Sequence, residues 1–171
     1  MKKKLNPAHD LLSKNGFLFF WGGYPSNWEP SNFAIDGVSY NCVEQYMMAE
    51  KARLFGDEEV RQKILASPYP RAQKEFGRKV RGYIDETWTA VRYDVVLRAT
   101  VEKYKQNPRL LKKLLSTTET FVEASPEDDI WGIGMLMTEQ GVEDPANWKG
   151  TNLLGKAITE ARELIRAESA H

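Results

Sequence analysis

The stretch NCVEQYMMAEKARLF, Asn41 to Phe55, predicts the helix around which the rest of this chain is organised. Asn41 followed three residues later by Glu44 is a capping-box pattern, in which each side chain satisfies a backbone N–H at the helix start. Gly56 is expected to end the helix, because glycine readily adopts the left-handed conformation found just beyond a helix. Both ends of the helix are therefore marked in the sequence.

Three side chains of this predicted helix point in nearly the same direction. At 100° per residue, Glu44, Met48 and Lys51 fall almost on one line, so a carboxylate and an ammonium share a face. Two turns separate the two charges, about 10 Å at 1.5 Å per residue, which is too far for a direct salt bridge. Each charge must therefore find another partner or a ligand.

Short strands are predicted before this helix. FLFFW, Phe17 to Trp21, is an apolar and aromatic run typical of a buried strand. Apolar residues alternate with polar ones on both sides of Asp36-Gly37, which predicts a hairpin over residues 33–40 with a type I′ turn.

Most of the remaining chain has helical periodicity. Asp57 is expected to cap a helix that ends near Ala66, and Ser125 followed by Pro126 is expected to start another, with Asp128 in its first turn. The expected fold class is mainly α with a small β component (α+β), with N-terminal short strands and a hairpin followed by a helical bundle. Further helices are predicted over residues 71–81, 86–106, 110–115 and about 152–168.

Length and composition limit the class of protein. With 171 residues, of which 42% are hydrophobic, the chain can form one domain, expected over residues 17–168 after a flexible N-terminal tail, 1–16. A formal net charge of zero provides no overall attraction to nucleic acid or to anionic membranes. No segment approaches the ~20 apolar residues of a membrane span and no secretion signal is recognisable, so a cytoplasmic protein is expected.

Several kinds of catalytic site are excluded by the residues present. The single cysteine, Cys42, cannot form an internal disulfide, and the two histidines, His9 and His171, lie near the chain ends. Neither a Cys/His zinc site nor a Ser/His/Asp triad is therefore expected, no nucleotide-binding glycine motif occurs, and no metal or cofactor is predicted. Carboxylates, lysine and aromatic residues remain, and they suit glycosidic cleavage, where paired carboxyl groups stabilise an oxocarbenium-like state and activate water.

A basic row could bind a phosphorylated ligand. Arg71, Lys74, Arg78 and Arg81 fall on one face of their predicted helix, with apolar residues on the opposite face. Such a row is either a solvated surface or a phosphate clamp, since arginine offers paired donors to phosphate oxygens.

Two glycine-containing loops could also contact a ligand. Trp131 beside Gly132 and Gly134 suggests an aromatic platform next to backbone that can approach another molecule closely. Gly150 and Asn152 precede the last predicted helix, where free N–H groups can bind an anion.

Several motifs follow one another along about residues 17–166: SNF (31–33), VEQYMMAEKARLFGD (43–57), KEFGRKVRG (74–82), Trp88, KYKQNPRLLKKLLST (103–117), FVEASPEDDIWGIG (121–134) and GTNLLGKAITEARE (150–163). Together they resemble the motifs of the YbiA-like family, also called the NADAR superfamily. The resemblance implies a mainly helical fold with a few short strands, and an N-glycosidase that cleaves a bond between a ribose carbon and a nitrogen. The implied substrates are ribosylamino-pyrimidine intermediates of riboflavin synthesis, or ADP-ribose attached to a guanine base. Nucleic acid is a partner only if it carries ADP-ribosylated guanine, and the oligomeric state is left open.

The resemblance implies roles for individual residues. The family's motif glutamate falls on Glu44, its motif lysine on Lys51, the tryptophan of its long helix on Trp88, and its aspartate three residues before a Trp-Gly pair on Asp128. Gln45 stands where some relatives have histidine, which removes one possible proton carrier. Asp129 adjoins the aspartate, so the choice between the two depends only on their spacing from the tryptophan.

The mechanistic hypothesis is that two carboxylates, Glu44 and Asp128, meet at the anomeric carbon of the ribose while an indole stacks on the base. Lys51 either hydrogen-bonds a sugar or phosphate oxygen or reacts with an opened ribose aldehyde. Two other hypotheses remain: a non-catalytic module that binds ADP-ribose or NAD, and a helical protein-interaction domain. The predicted substrate-binding residues are Asn32, Phe33, Arg78, Trp88, Trp131, Gly132 and Asn152.

Overall fold

The computed structural model describes residues 3–171, and the first two residues, which belong to the predicted tail, lie outside the described part. The chain divides into two compact units: unit 1 is formed by the residues up to Glu29 together with Lys112–His171, and unit 2 is Pro30–Leu111. The single domain over residues 17–168 stays a prediction. Six α-helices and five short strands occur in the described part, which confirms the predicted mainly helical α+β class.

Unit 2 begins with the predicted hairpin. β3 (Phe33–Ile35) pairs antiparallel with β4 (Val38–Tyr40). The two turn residues, Asp36 and Gly37, have φ values of +51° and +79°, as a type I′ turn requires. The Asp-Gly signal therefore fixes the turn, and the alternation around it fixes the register.

α1 (Val43–Leu54) is packed by the other three helices of unit 2, which are α2 (Glu58–Ala66), α3 (Pro70–Arg78) and α4 (Asp85–Lys105). Its first seven residues are all buried, as expected for a helix enclosed on every side. Gly56, at φ +69°, follows its last turn as predicted. α2 and α4 also agree with prediction, whereas α3 ends three residues earlier than predicted.

The predicted capping box at the start of α1 is wrong. The residue at the helix boundary is Cys42, and no side chain caps the helix there. The Asn41 side chain instead donates to Pro68 O at 3.0 Å and accepts from Gln73 at 3.1 Å. The backbone N–H of Asn41 donates to Gln45 Oε1 at 2.7 Å. The amide of Gln45 therefore takes the place expected for Glu44.

The predicted cap of α2 is confirmed, and the capping residue, Asp57, also binds Arg81. Asp57 Oδ1 accepts from the Val60 N–H at 3.2 Å, and the same carboxylate binds Arg81 through its backbone N–H at 2.8 Å and its guanidinium at 2.7 Å. Because α3 ends before it, Arg81 pairs with this carboxylate and does not extend the basic row as predicted.

Replacing Asp57 with asparagine is expected to reduce stability at neutral pH but not in acid. Arg81 holds the pKa of the Asp57 carboxyl well below its usual range. A lowered folded-state pKa stabilises the fold above the unfolded-state pKa of about 4, and this contribution is lost as pH falls towards the folded-state pKa. Asparagine keeps a side-chain oxygen for the cap.

Thermal unfolding of the wild type and the Asp57→Asn variant between about pH 2 and pH 7 measures this difference. The gap between their melting temperatures should be widest near pH 7 and should narrow below about pH 4. A gap that is the same at every pH would show that the ion pair does not stabilise the fold.

Unit 1 contains a three-stranded sheet covered by one long helix. β2 (Phe17–Phe20) is the central strand, antiparallel to β1 (Leu12–Lys14) and parallel to β5 (Thr120–Glu123). α6 (Leu153–Ser169) packs on β5. β2 and α6 were predicted, whereas β5 was not. β1 lies within the segment predicted as a flexible tail, so any such tail is shorter than predicted.

The predicted helix start at Ser125 is wrong, because residues 124–144 contain turns and bends only. The loop is held to the end of β5, where Ile133 N–H donates to Glu123 O at 2.9 Å. The remaining elements are α5 (Pro108–Ser116) and a short 3-10 helix, Pro145–Asn147. Side chains of the loop complete an apolar core in unit 1, formed by Phe19, Val122, Ala124, Ile133, Met135, Met137 and Val142.

Candidate active site

The face of α1 that carries Glu44 and Lys51 is the strongest candidate for catalysis in unit 2. Glu44 is buried, with 5% of its surface exposed, and Lys51 is half-buried two turns later. Met48 lies between them against α3, where a side chain at Gly77 would collide with the methionine sulfur. The helix therefore presents a carboxylate and an amine in one direction, as its periodicity predicted.

The surroundings of Lys51 lower the pKa of its amine. Its Nζ lies 4.6 Å from the centroid of the Tyr83 ring, which in turn meets the Phe55 ring edge-on. Burial lowers the pKa of the Lys51 amine, the Glu44 carboxylate opposes this effect, and the Arg78 guanidinium adds to it. A lowered pKa increases the fraction of neutral amine, which is the form that accepts a proton or attacks a carbonyl carbon.

The negative charge of Glu44 affects the pKa of Cys42 as well as that of Lys51. Burial raises the pKa of the Cys42 thiol to about 11, and the negative charge of Glu44 contributes in the same direction. The thiol therefore stays protonated at neutral pH. Within residues 3–171, no cluster of three or more His, Cys, Asp or Glu side chains could hold a metal ion, and no helix has the length and apolar character to cross a membrane.

The basic row on α3 is shorter than predicted. Arg71, Lys74 and Arg78 are exposed on one side of the helix, and Arg78 is close enough to Lys51 to affect its pKa. Three exposed cations in a row, one of them near the Lys51 amine, are a suitable arrangement for substrate phosphates.

Trp88, Asn32 and Phe33 also belong to unit 2. The Trp88 ring, in the first turn of α4, is buried and has only 6% of its surface exposed. Phe33 is a core residue that stacks on Tyr40 at 5.7 Å, whereas Asn32 is exposed. Asn32 and Phe33 line a cavity of about 580 Å³, and Gln45 also lines it. Among the described residues, Glu44 does not line this cavity.

In unit 1, Asp128 organises the loop after β5. Its Oδ1 accepts from the N–H groups of Ile130 at 2.9 Å and Trp131 at 2.8 Å, so one carboxylate oxygen holds the turn. The side chain of its neighbour, Asp129, is exposed. A carboxylate fixed by two backbone N–H groups keeps a defined position, which favours Asp128 over Asp129 for any role that needs precise placement.

The same loop packs closely against the start of α6. A side chain at Gly132 would lie 2.9 Å from both the Asp128 and Glu123 carbonyl oxygens, so only glycine fits there. The Asn152 N–H donates to Gly132 O at 3.0 Å, and the Leu154 N–H donates to Trp131 O at 3.1 Å. Because loop carbonyls already accept these N–H groups, the predicted free anion site at the start of α6 is wrong.

Asn152 has a structural role. It is buried with φ +53°, its Oδ1 accepts from Glu123 N–H at 2.9 Å, and its Nδ2 donates to Phe121 O at 3.1 Å. Asn152→Ala should lower the free energy of unfolding by about 1–3 kcal/mol, because a buried and a partly buried backbone group of β5 lose their partner. Urea unfolding measures the change, with the exposed Gln140→Ala as the control; equal effects of the two variants would contradict this role.

Residues 19–166 match the NADAR domain family. The chain belongs to this family. N-glycosidase R617 of Acanthamoeba polyphaga mimivirus is 44% identical over 145 residues, covering 81% of this chain and 85% of that protein. N-glycosidase YbiA of Escherichia coli (strain K12) is 30% identical over 144 residues, covering 81% of each chain. The predicted family resemblance is therefore confirmed.

The NADAR assignment extends to the three-dimensional fold. The NMR structure of E. coli YbiA superimposes with a TM-score of 0.76 at 26% identity, covering 94% of this chain and 90% of that one. A riboflavin biosynthesis protein of Vibrio vulnificus (strain YJ016) is 25% identical over 150 residues, covering 87% of this chain and 37% of that protein.

The NADAR chain thus has two groups of predicted site residues, one in each unit. In unit 2, Glu44 and Lys51 share a face of α1, and Arg78 lies close enough to lower the pKa of Lys51. Asp128, Trp131, Gly132 and Asn152 come together in the loop at the start of α6 in unit 1. The meeting of Glu44 and Asp128 at one sugar stays a prediction.

Two residues of unit 2, Tyr83 and Lys103, were not singled out from the sequence. Tyr83 covers the Lys51 amine but follows Gly82 in a turn, where no periodic signal marks it. Lys103 is a lysine with only 1% of its surface exposed. Its spacing from Val96 and Ala99 on α4 places it on the buried face, and that pattern could have identified it.

Proposed function

We propose that this protein is an N-glycosidase that hydrolyses the ribose C1–N bond of a phosphorylated N-riboside, such as a ribosylamino-pyrimidine intermediate of riboflavin biosynthesis. The observation that carries the proposal is the buried Glu44 on the same face of α1 as Lys51, whose pKa is lowered. The names of R617 and YbiA support the reaction type, and the name of the Vibrio relative supports the substrate class.

In this proposal a carboxylate assists the departure of the base. As the C1–N bond breaks, its electron pair stays with the nitrogen, and positive charge develops at C1 and the ring oxygen. Glu44 stabilises this charge or takes a proton from the water that adds to C1. Asp128 is the proposed second carboxylate, and Trp88 or Trp131 the proposed stacking partner of the base.

Lys51 has two chemical options in this reaction. As an ammonium it donates hydrogen bonds to a sugar or phosphate oxygen. As a neutral amine it attacks C1 of the ring-opened N-riboside, where an imine links the sugar to the base. The base leaves as its amine, and water hydrolyses the new lysine imine to ribose and free Lys51. The lowered pKa favours the second option relative to an ordinary lysine, and Arg78 is the proposed phosphate contact.

A second candidate is a hydrolase that removes ADP-ribose from guanine bases. The exposed row Arg71, Lys74 and Arg78 spans two turns of α3, about 10 Å, which is enough to contact more than one phosphate. A pyrophosphate would use this row more fully than a single terminal phosphate would.

A chromatographic screen for the released base tests the proposal. Purified protein is incubated separately with a ribosylamino-pyrimidine phosphate, NAD, ADP-ribose and ADP-ribosylated guanosine. Release of the pyrimidine supports the first candidate, and faster release of guanine replaces it with the second. If no substrate is cleaved while calorimetry detects ADP-ribose binding that Glu44→Gln leaves unchanged, the protein is a binding module and the enzyme proposal is overturned.

A further inference from the structure

Unit 2 contains a second polar cavity, on the side of α1 away from Glu44 and Lys51. At 100° per residue, Tyr46, Glu50 and Arg53 point roughly opposite to those two residues. They line a cavity of about 420 Å³, which is within the range of small-molecule sites. A ligand could therefore bind here without touching the proposed catalytic face.

The lining of this cavity is rich in arginine. Arg53 from α1, Arg61 from α2 and Arg98 from α4 contribute three guanidiniums, against the two carboxylates of Asp36 and Glu50. The lining therefore carries one net positive charge. Three arginines from three different helices can surround an anion, and guanidiniums match phosphate oxygens in pairs.

All three arginines have a carboxylate partner, and these partners differ in how firmly they are held. Arg61 donates to Glu58 on the same helix at 3.0 Å. Arg53 holds Glu50 on the same helix through contacts of 2.8–3.0 Å. Arg98 reaches Asp36 in the hairpin turn by two longer bonds of 3.2 and 3.3 Å, and both side chains are more than half exposed. An exposed pair of this kind opens at little cost.

Two tyrosines add neutral donors and an aromatic wall. Tyr40 and Tyr46 both line the cavity, and their rings meet edge-on at 5.0 Å. Burial raises the pKa of Tyr46 to about 12 and raises that of Tyr40. Both hydroxyls therefore remain protonated at neutral pH and can donate hydrogen bonds to an anion.

We propose that this cavity binds the dianion of a small phosphate monoester, and that Asp36 is an internal competitor that the phosphate displaces from Arg98. The phosphate lies among the three guanidiniums, and its organic group contacts the tyrosine rings. This site is separate from the proposed N-glycosidase site, so either proposal can fail without the other.

Arginine side-chain NMR on the full chain locates the binding. Resonances of the Nε–Hε groups are followed while inorganic phosphate or ribose 5-phosphate is added, with sodium chloride at matched ionic strength as the reference. Saturable shifts are expected at Arg53, Arg61 and Arg98 with both probes, and the ester is expected to bind more tightly. Shifts that sodium chloride reproduces would overturn the proposal.

Two substitutions should change the affinity in opposite directions. Arg98→Gln should weaken phosphate binding about 10-fold or more, because it removes a charged donor pair. Asp36→Asn should tighten binding about 2- to 5-fold, because it removes the competing carboxylate. Asparagine before glycine is itself favoured in a type I′ turn, so this variant keeps the hairpin.

Arg109→Gln, at an exposed position of α5, makes the same charge change outside the cavity and should leave the affinity unchanged. Equal affinities of Arg98→Gln and Arg109→Gln would overturn the proposal. So would an Asp36→Asn variant that binds phosphate no more tightly than the wild type. The Asp36→Asn result is decisive even if Arg98→Gln fails to fold, because it predicts a gain.

Discussion

Glu44→Gln is expected to lower the turnover number by ~10²–10⁴-fold, the usual contribution of a general acid or base. Glutamine keeps the shape of the side chain but can neither carry the negative charge that stabilises an oxocarbenium-like state nor take a proton from water. Turnover of whichever N-riboside is cleaved in the chromatographic screen provides the measurement.

In the structure Glu44 does not cap α1, so a loss of activity in Glu44→Gln cannot be attributed to the loss of a cap. A capping glutamate would couple the loss of activity to a loss of stability, but the Asn41 N–H is bonded by Gln45 and no side chain caps α1. Loss of a helix cap should therefore not contribute to any change in the melting temperature of Glu44→Gln. Glu75→Gln, at an exposed position of α3, is the matched control and should keep full turnover. Wild-type turnover in Glu44→Gln would remove this residue from the mechanism.

The parts of the fold that were predicted correctly have local signals. Asp36-Gly37 determines its own turn, and Asp57 caps α2 through a contact three residues along the chain. β5 was missed because its pairing is not local: it lies parallel to β2, about 100 residues earlier in the chain. The helix predicted from Ser125 was wrong because short polar residues both start helices and stabilise turns. In this segment the Asp128 carboxylate holds a turn.

In the candidate site, too, features set by local geometry were predicted and features set by tertiary packing were not. The alignment of Glu44 with Lys51 follows from helix geometry alone. The capture of Arg81 by Asp57 depends on where α3 ends, and the cover of Lys51 by Tyr83 depends on the path of the chain after Gly82. Contacts set by tertiary packing leave no periodic trace in the sequence, so neither could be predicted.

Lys51→Met is expected to lower the turnover number by ~10²–10⁴-fold and to change its dependence on pH. If the neutral amine is the reactive form, wild-type turnover should rise with pH and level off above the Lys51 pKa. Burial and Arg78 lower that pKa, so the midpoint of the rise should lie below the ordinary lysine value of about 10.4. The methionine variant, which has no amine, should lose this rise.

Lys51→Arg separates the two roles proposed for this residue. A guanidinium can still donate hydrogen bonds to a sugar or phosphate oxygen, but it does not lose its proton at these pH values and cannot form an imine. If Lys51 acts as a nucleophile, the arginine variant should be as inactive as Lys51→Met, and borohydride should trap a sugar adduct on the wild type only. If arginine restores turnover to within about 10-fold of the wild type and nothing is trapped, the amine is a hydrogen-bond donor. In that case the lowered pKa would be a consequence of burial beneath Tyr83 and not part of the reaction.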